Sequence, residues 1–567
     1  MLLRFVNGPL ETPFAIVPTT DYAVADKDAG HRRQRIAVPQ QHFNQGQVEK
    51  MSGYVPNIPR AKREAELKEV EPTDVHAERW AEYERHARQP AKPDEKIKLA
   101  LRIGVFFDGT GNNATNSALG LACGAQHPIE PKDLDASCKP YMADPDSSYG
   151  NDATNVRKLM ELYTDSAKPE GEGLHKRLSR KIYVEGIGTE AGKEDSLLGS
   201  GMGRGETGVS GCVQRAFTRI ATTVTLAVQE NPGCTISALT IDTFGFSRGA
   251  AAARHFANEV VKGLAGPLGP TLQNNANAFS SDFIGRYGQG INVAFIGLFD
   301  TVASVGGLSN LGNIRSGVTP SINLYLPRKY FPNVIHLVAR DEIRGNFPLT
   351  RVKPEHAEIS LPGAHSDIGG GYLNEAEECV LVSPMQALTV NLGIDVTATS
   401  IYKNAEQAKQ RLVAEGWPAT MLEVVTPSPK LLPTDPHDRL APRLQRVYAG
   451  LQLRRSVNGS LSRVYLRVMC ELAKRTGVRF DEIDEHNPNY SLPDDLKPLC
   501  TRFLTGDYST TPNEEKLLRE RYVHVSANWN NPLGKRTPSD FKLIYINAPE
   551  ANGLRRQHPH VPNWTLF

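Results

Sequence analysis

What this chain has little of narrows its class before any motif is read. Cysteine is scarce, seven in 567 residues, with no C-x-x-C pair and no histidines at zinc spacing. A structural zinc site of the familiar kind is therefore not expected, nor a disulfide-built scaffold. Cys123 and Cys138 share one loop-like segment and could bridge in an oxidising compartment. No apolar run approaches the roughly 20 residues that span a bilayer. The opening Met1–Pro9 also lacks the sustained apolar core of a secretory signal. The expectation is a chain that stays in the cytoplasm or leaves by a route that reads no such signal. Neither charge sign dominates: 65 Lys and Arg stand against 63 Asp and Glu, for a net charge of +2. That balance argues against a dedicated nucleic-acid binder, which would concentrate basic residues on one face.

What is present fits a globular protein, 40% hydrophobic and 23% charged. Its length is too great for one simple core, so two or three lobes are expected. Residues 1–97 read as an extension. It has no periodicity up to Pro59, then an exposed Arg60–Arg88 helix rich in charge, a candidate docking arm. Residues 98–374 alternate strand and helix signals. Leu101–Phe107, Lys181–Glu185, Ile236–Phe244, Val293–Phe299, Val334–Val338 and Ala357–Leu361 read as strands, and Val213–Gln229 as a helix. The pattern predicts an α/β class with a mostly parallel sheet. Residues 375–520 read as a largely helical cap or insert lobe, a candidate membrane or lid module, with helices over Ala405–Glu415, Arg443–Val457, Ser462–Lys474 and Glu514–Glu520. Residues 521–567 read as C-terminal strands, Tyr522–Ser526 and Leu543–Ile546, re-joining the core.

The chemistry centres on Gly245-Phe246-Ser247-Arg248-Gly249, placed between the apolar run ending at Phe244 and the helix-like Ala250–Ala257. Strand, G-x-S-x-G and helix in that order are the nucleophile elbow of an α/β-hydrolase. A serine hydroxyl needs a base, and the base needs an acid to hold its tautomer. Asp300 ends the buried run Val293–Phe299, where the acid belongs, and His365 follows Ala357–Leu361 in a glycine-rich turn. His524 is the alternative base. Asp242, on the elbow strand, is expected to face a neighbouring element, and His255 to pack on the sheet. Asp108 and Asp367 are candidate supporting residues, the latter orienting the His365 loop. The backbone N–H groups of Arg248 and Gly109 are the expected oxyanion donors. Gly201-Met202-Gly203-Arg204-Gly205 lacks the G-K-[ST] ending of a phosphate loop and reads instead as a mobile loop. No metal or organic cofactor is called for.

Four motifs in order carry a resemblance: Phe106–Asn113, Gly245–Ala250, Leu298–Val302 and Gly363–Tyr372. Together they resemble the DUF2235 family, which includes the Tle1-type phospholipase effectors of bacterial type VI secretion. Leu337–Glu342 and Ile544–Pro549 resemble family segments as well. The resemblance implies an α/β-hydrolase with a Ser247, Asp300 and His365 triad that cleaves acyl esters of membrane glycerophospholipids. It implies delivery by a VgrG or Hcp carrier to the periplasm of a target cell, peripheral membrane contact, and a cognate immunity protein. A serine esterase or thioesterase acting on a soluble substrate, and a non-catalytic binding module, stay open at this point.

Overall fold

The computed structural model describes residues 96–125, 138–143, 147–195, 208–303, 322–433, 442–530 and 547–562. The extension before residue 96 lies outside them, as do the Gly199–Gly205 run and the expected Leu543–Ile546 strand.

Six strands make the main sheet: β1 (Ile97–Phe107), β2 (His175–Val184), β3 (Cys234–Phe246), β4 (Gly290–Phe299), β5 (Val334–Ala339) and β6 (Ala357–Leu361). They lie in the order β2–β1–β3–β4–β5–β6, with every neighbouring pair parallel. A two-residue strand, Arg286–Tyr287, pairs with the start of β4. The alternation in β1 shows why these residues form such a sheet. Leu99, Leu101, Ile103, Val105 and Phe107 point to one face, packing with Val213, Phe217 and Ile220 of helix Val209–Gln229 and with Phe256 of helix Arg248–Val261. Phe106 points to the other, with Phe244, Phe246, Phe295 and Phe299. Each such side chain contributes about 1.5–3 kcal/mol on burial. Both faces are covered over the central strands, which is why β3, β4 and β5 read as near-continuous apolar runs while the edge strands β2 and β6 carry polar residues.

The strand order also locates a site. From β1 the chain crosses to one side for β2, then returns to the other side for β3. Connections therefore part at the carboxyl ends of β1 and β3, the crevice where open parallel sheets bind ligands.

Three expectations are corrected. Arg443–Val457 is not a helix but holds a 14-residue strand, Leu444–Val457. It anchors a separate antiparallel sheet with Ala376–Leu381, Gln386–Asn391, Leu422–Val425 and Lys430–Leu431. Val447, Leu451 and Leu453 are buried while Arg446 and Arg454 are exposed, and partners on both sides favour the strand over a helix. The region 375–520 is accordingly not a largely helical lobe. Nor is its helical part apart from the core: Leu461–Lys474 packs Val464, Tyr465 and Val468 against the aromatic face of the main sheet. Finally, Tyr522–Ser526 is not a strand, because the N–H groups of His524 and Val525 donate to the carboxylates of Asp367 and Glu378 rather than to a ladder.

Within the stretch from Ala114 to Gly150, which carried no element in the sequence reading, a helix runs from Ala114 to Cys123. Asn113 caps it by accepting from the N–H groups of Thr115 and Asn116. Cys123 at its end is bridged to Cys138.

Asp242 is fully buried on β3 and takes a forked pair from Arg102 of β1, at 2.6 and 2.9 Å, plus the Tyr163 hydroxyl at 2.9 Å. Burial pushes the Tyr163 hydroxyl well above its usual value, so it stays a neutral donor. Removing the cation would strand the charge among aromatic rings. Arg102→Met should lower stability by about 3 kcal/mol, read as a fall in the urea midpoint at unchanged m-value; a loss under about 1 kcal/mol would contradict this account.

Candidate active site

β3 ends at Phe246 and the next helix starts at Arg248, leaving Ser247 as the link. Its backbone sits at φ 57° and ψ −125°, a conformation that costs a non-glycine residue on the order of 1–3 kcal/mol. The flanking glycines make the turn feasible. A Cβ on Gly245 would lie 2.4 Å from the Gly249 carbonyl oxygen, and one on Gly249 would lie 2.3 Å from that of Asp108. The helix thus starts in direct contact with the end of β1. The Ser247 N–H donates to the Phe299 carbonyl, and its own carbonyl accepts from Val302, tying the elbow to the end of β4.

Asp300 follows β4 directly, again at positive φ, 41°. Its Oδ2 lies 2.6 Å from His365 Nδ1. The same oxygen accepts from Arg555 Nη1 at 2.7 Å, while Oδ1 accepts from Arg555 Nη2 and from the Ala339 N–H at 2.9 Å. Burial alone would push this carboxyl up. The Arg555 guanidinium and the His365 contact override it and hold the group well below the usual carboxylate range.

His365 opens a short helix, His365–Gly369, two residues after Gly363 ends the turn from β6. Its ring is packed by Phe246 and Phe347, with centroids 4.6 and 4.8 Å away. Nδ1 facing Asp300 assigns the proton there and leaves Nε2 as an acceptor. That nitrogen is buried with no hydrogen-bond partner. Ser247 is 6% exposed and His365 2%, so the group is covered.

Carboxylates brace the surrounding loops. Glu342 accepts the His365 N–H at 3.2 Å and pairs with Arg344 at 2.7 Å. Burial would raise Glu342, but Arg344 brings it down to about 2. Asp367 takes the N–H groups of Ala364 and His524, and its Oδ1 lies 2.7 Å from His524 Nδ1. The alternative base therefore pairs with Asp367, and Asp300 pairs with His365. Asp108 accepts from Thr154 and Tyr183 at 2.7 and 2.6 Å, and burial pushes it up.

The expectation for Gly109 is corrected. Its N–H donates to Asp108 Oδ1 at 2.7 Å, because a carboxylate on the preceding residue reaches it before any substrate could. Arg248 is the first residue of its helix, outside the i→i−4 ladder of that helix. His255 lies on the same helix beside Glu259, 3.9 Å away. Among the described residues no group of three or more His, Cys, Asp or Glu is assembled to hold a metal ion. Arg555, Glu342 and Arg344 join the site without a motif of their own to mark them. Glu342 lay in a segment already noted, whereas nothing in Leu554-Arg555-Arg556 marks an arginine that reaches back to Asp300.

Burial pushes the His365 imidazole down, against the opposing pull of Asp300. In an NMR titration its protonation midpoint should fall below the ordinary histidine value of about 6.5. A midpoint above that value would show that Asp300 outweighs desolvation.

Residues 270–391 match the family model for the catalytic domain of Tle1-like type VI secretion phospholipase effectors. This stretch carries Asp300 and His365 and spans β4 to β6. No curated protein matches the chain. A solved structure of the Tle1 effector bound to the VgrG spike from the Type 6 secretion system is 26% identical, with a TM-score of 0.62. The similarity covers 87% of this chain and 98% of that one. An uncharacterized protein from Pseudomonas aeruginosa is 18% identical over 75% of this chain and 53% of its own, at a TM-score of 0.33, too distant to argue from. The family match over residues 270–391 and the shared architecture support a phospholipase effector of the Tle1-like type, a lipolytic hydrolase.

Proposed function

We propose that Ser247 is the nucleophile of a serine phospholipase of the A type, with His365 as general base and Asp300 as the acid that orients it. The observation that carries this reading is the buried Asp300–His365 pair with an unpartnered Nε2, next to a serine on a strained elbow. His365 takes the Ser247 proton as the hydroxyl oxygen attacks the ester carbonyl carbon. It then returns the proton to the departing glycerol oxygen, and water repeats the cycle to release the fatty acid. The missing Ser247–His365 bond fits a resting site, since such bonds often tighten only with substrate bound.

The oxyanion needs two donors. The Arg248 N–H supplies one. With Gly109 committed to Asp108, the second falls to Thr110, whose buried Oγ1 has no hydrogen-bond partner. The Tle1 relative is held on a VgrG spike, which supports a VgrG carrier here; a membrane glycerophospholipid as substrate, delivery to a neighbouring cell and an immunity protein in the producer complete the reading.

Fatty-acid release from phosphatidylethanolamine and phosphatidylglycerol vesicles tests the triad. Ser247→Ala should abolish release while circular dichroism is unchanged; retained release would remove Ser247 from the mechanism. For the oxyanion assignment, Thr110→Val should lower kcat by about 10²-fold, as loss of one such donor does elsewhere, with Thr110→Ser close to wild type. Equal kcat in the valine variant would leave the hydroxyl without that role.

A further inference from the structure

Asp300 has more partners than orienting a histidine requires. Each carboxylate oxygen takes two donors, and three of the four lie outside the serine–histidine pair: two from Arg555 and one from Ala339. Arg555 is 255 residues further along the chain and nearly as buried as its partner, 6% exposed against none.

We propose that Arg555 is a positioning residue for hydrolysis: its guanidinium forks onto Asp300, fixing that carboxylate against His365 and limiting how readily His365 takes a proton. The inference rests on the triad reading above. A fork sets the plane of a carboxylate, which a single contact does not. It also makes the Asp300–Arg555 pair nearly neutral, so an imidazolium at His365 gains less than it would beside a bare aspartate. The other charged groups around His365 each have a partner of their own. Glu342 is paired with Arg344, Asp367 is held by His524, and Asp341, which accepts the Gly363 N–H, lies beside Arg340. Arg555 is the cation bonded to the same carboxylate oxygen as the imidazole.

The plainer reading is that Arg555 merely anchors the segment 547–562. That segment is already held without it. Gln557–His558 pairs in parallel with Leu349–Thr350, the Gly345 N–H donates to Ala548, the Glu550 N–H to Ile343, and the Leu326 N–H to His560 Nε2. Thr350 in turn donates its N–H to the Thr301 carbonyl, next to Asp300. Docking of the segment presents Arg555 to the site; the guanidinium is not needed for the docking.

The test measures kcat, KM and the acid limb of kcat/KM on phosphatidylglycerol vesicles for wild type, Ser247→Ala, Arg555→Met and Arg555→Lys, with circular dichroism of each. Arg555→Met should lose about 10²-fold in kcat with KM little changed, and its acid limb should move up by about one pH unit or more. Arg555→Lys, keeping the charge but not the fork, should hold the wild-type acid limb and lose about tenfold in kcat. Wild-type kcat in the Met variant, or a loss with an unmoved limb, would overturn the proposal. If the Met variant does not fold, the Lys variant decides: wild-type kcat there would overturn it. Equal release by wild type and Ser247→Ala would instead sink the triad reading, a result separable from any at Arg555.

Discussion

A carboxylate with no exposed surface has to be matched by donors or it will not stay ionised, and Asp300 is matched from three directions. β5 supplies the Ala339 N–H, the turn after β6 supplies His365, and the C-terminal segment supplies Arg555. The idealised cost of burying such an ion is of order 20 kcal/mol and still several after relaxation, so none of these elements can drift without a penalty. The positive φ at Asp300 belongs to the same constraint, since it turns the side chain at the strand end to where these donors converge. Much of the remaining architecture is arranged to deliver them.

The same device recurs around the site. Asp108, Glu342 and Asp367 each bind two or more donors from separate segments, and each braces a loop that carries a named residue of the site. Asp108 holds the turn after β1, Glu342 the His365 backbone, and Asp367 the His524 segment. Loops built this way owe their shape to buried charge rather than to a sheet ladder. This is why Tyr522–Ser526, apolar enough to read as a strand, joins no ladder.

Local pattern carried the fold where one element dictates its own structure. The central parallel strands were legible because burial on both faces writes itself as apolar runs, and the strand-end positions of Ser247 and Asp300 were legible because each sits just past such a run. What could not be read locally failed for physical reasons. Leu444–Val457 is a strand because it has partners on both sides, and partners are not visible in a single segment. The helix Leu461–Lys474 belongs to the main core because its apolar face finds the β3 and β4 aromatics, which are far off in sequence. Gly109 looked free to donate because its amide contact with Asp108 depends on one rotamer, and Arg555 was silent because a lone arginine has no period to betray its target.

The long reach of Arg555 bears on how the protein comes to life. The Asp300–His365 contact closes a loop of 65 residues, and Asp300–Arg555 one of 255. Contacts so distant along the chain must meet the entropy of closure before they return any stabilisation, so they form late. The elbow, a local strand-to-helix turn, can be shaped early. In the proposed triad, the turn that carries Ser247 is therefore shaped before Asp300, His365 and Arg555 are brought together. On the proposed triad, hydrolytic power therefore arrives with the last long-range contacts rather than with the elbow.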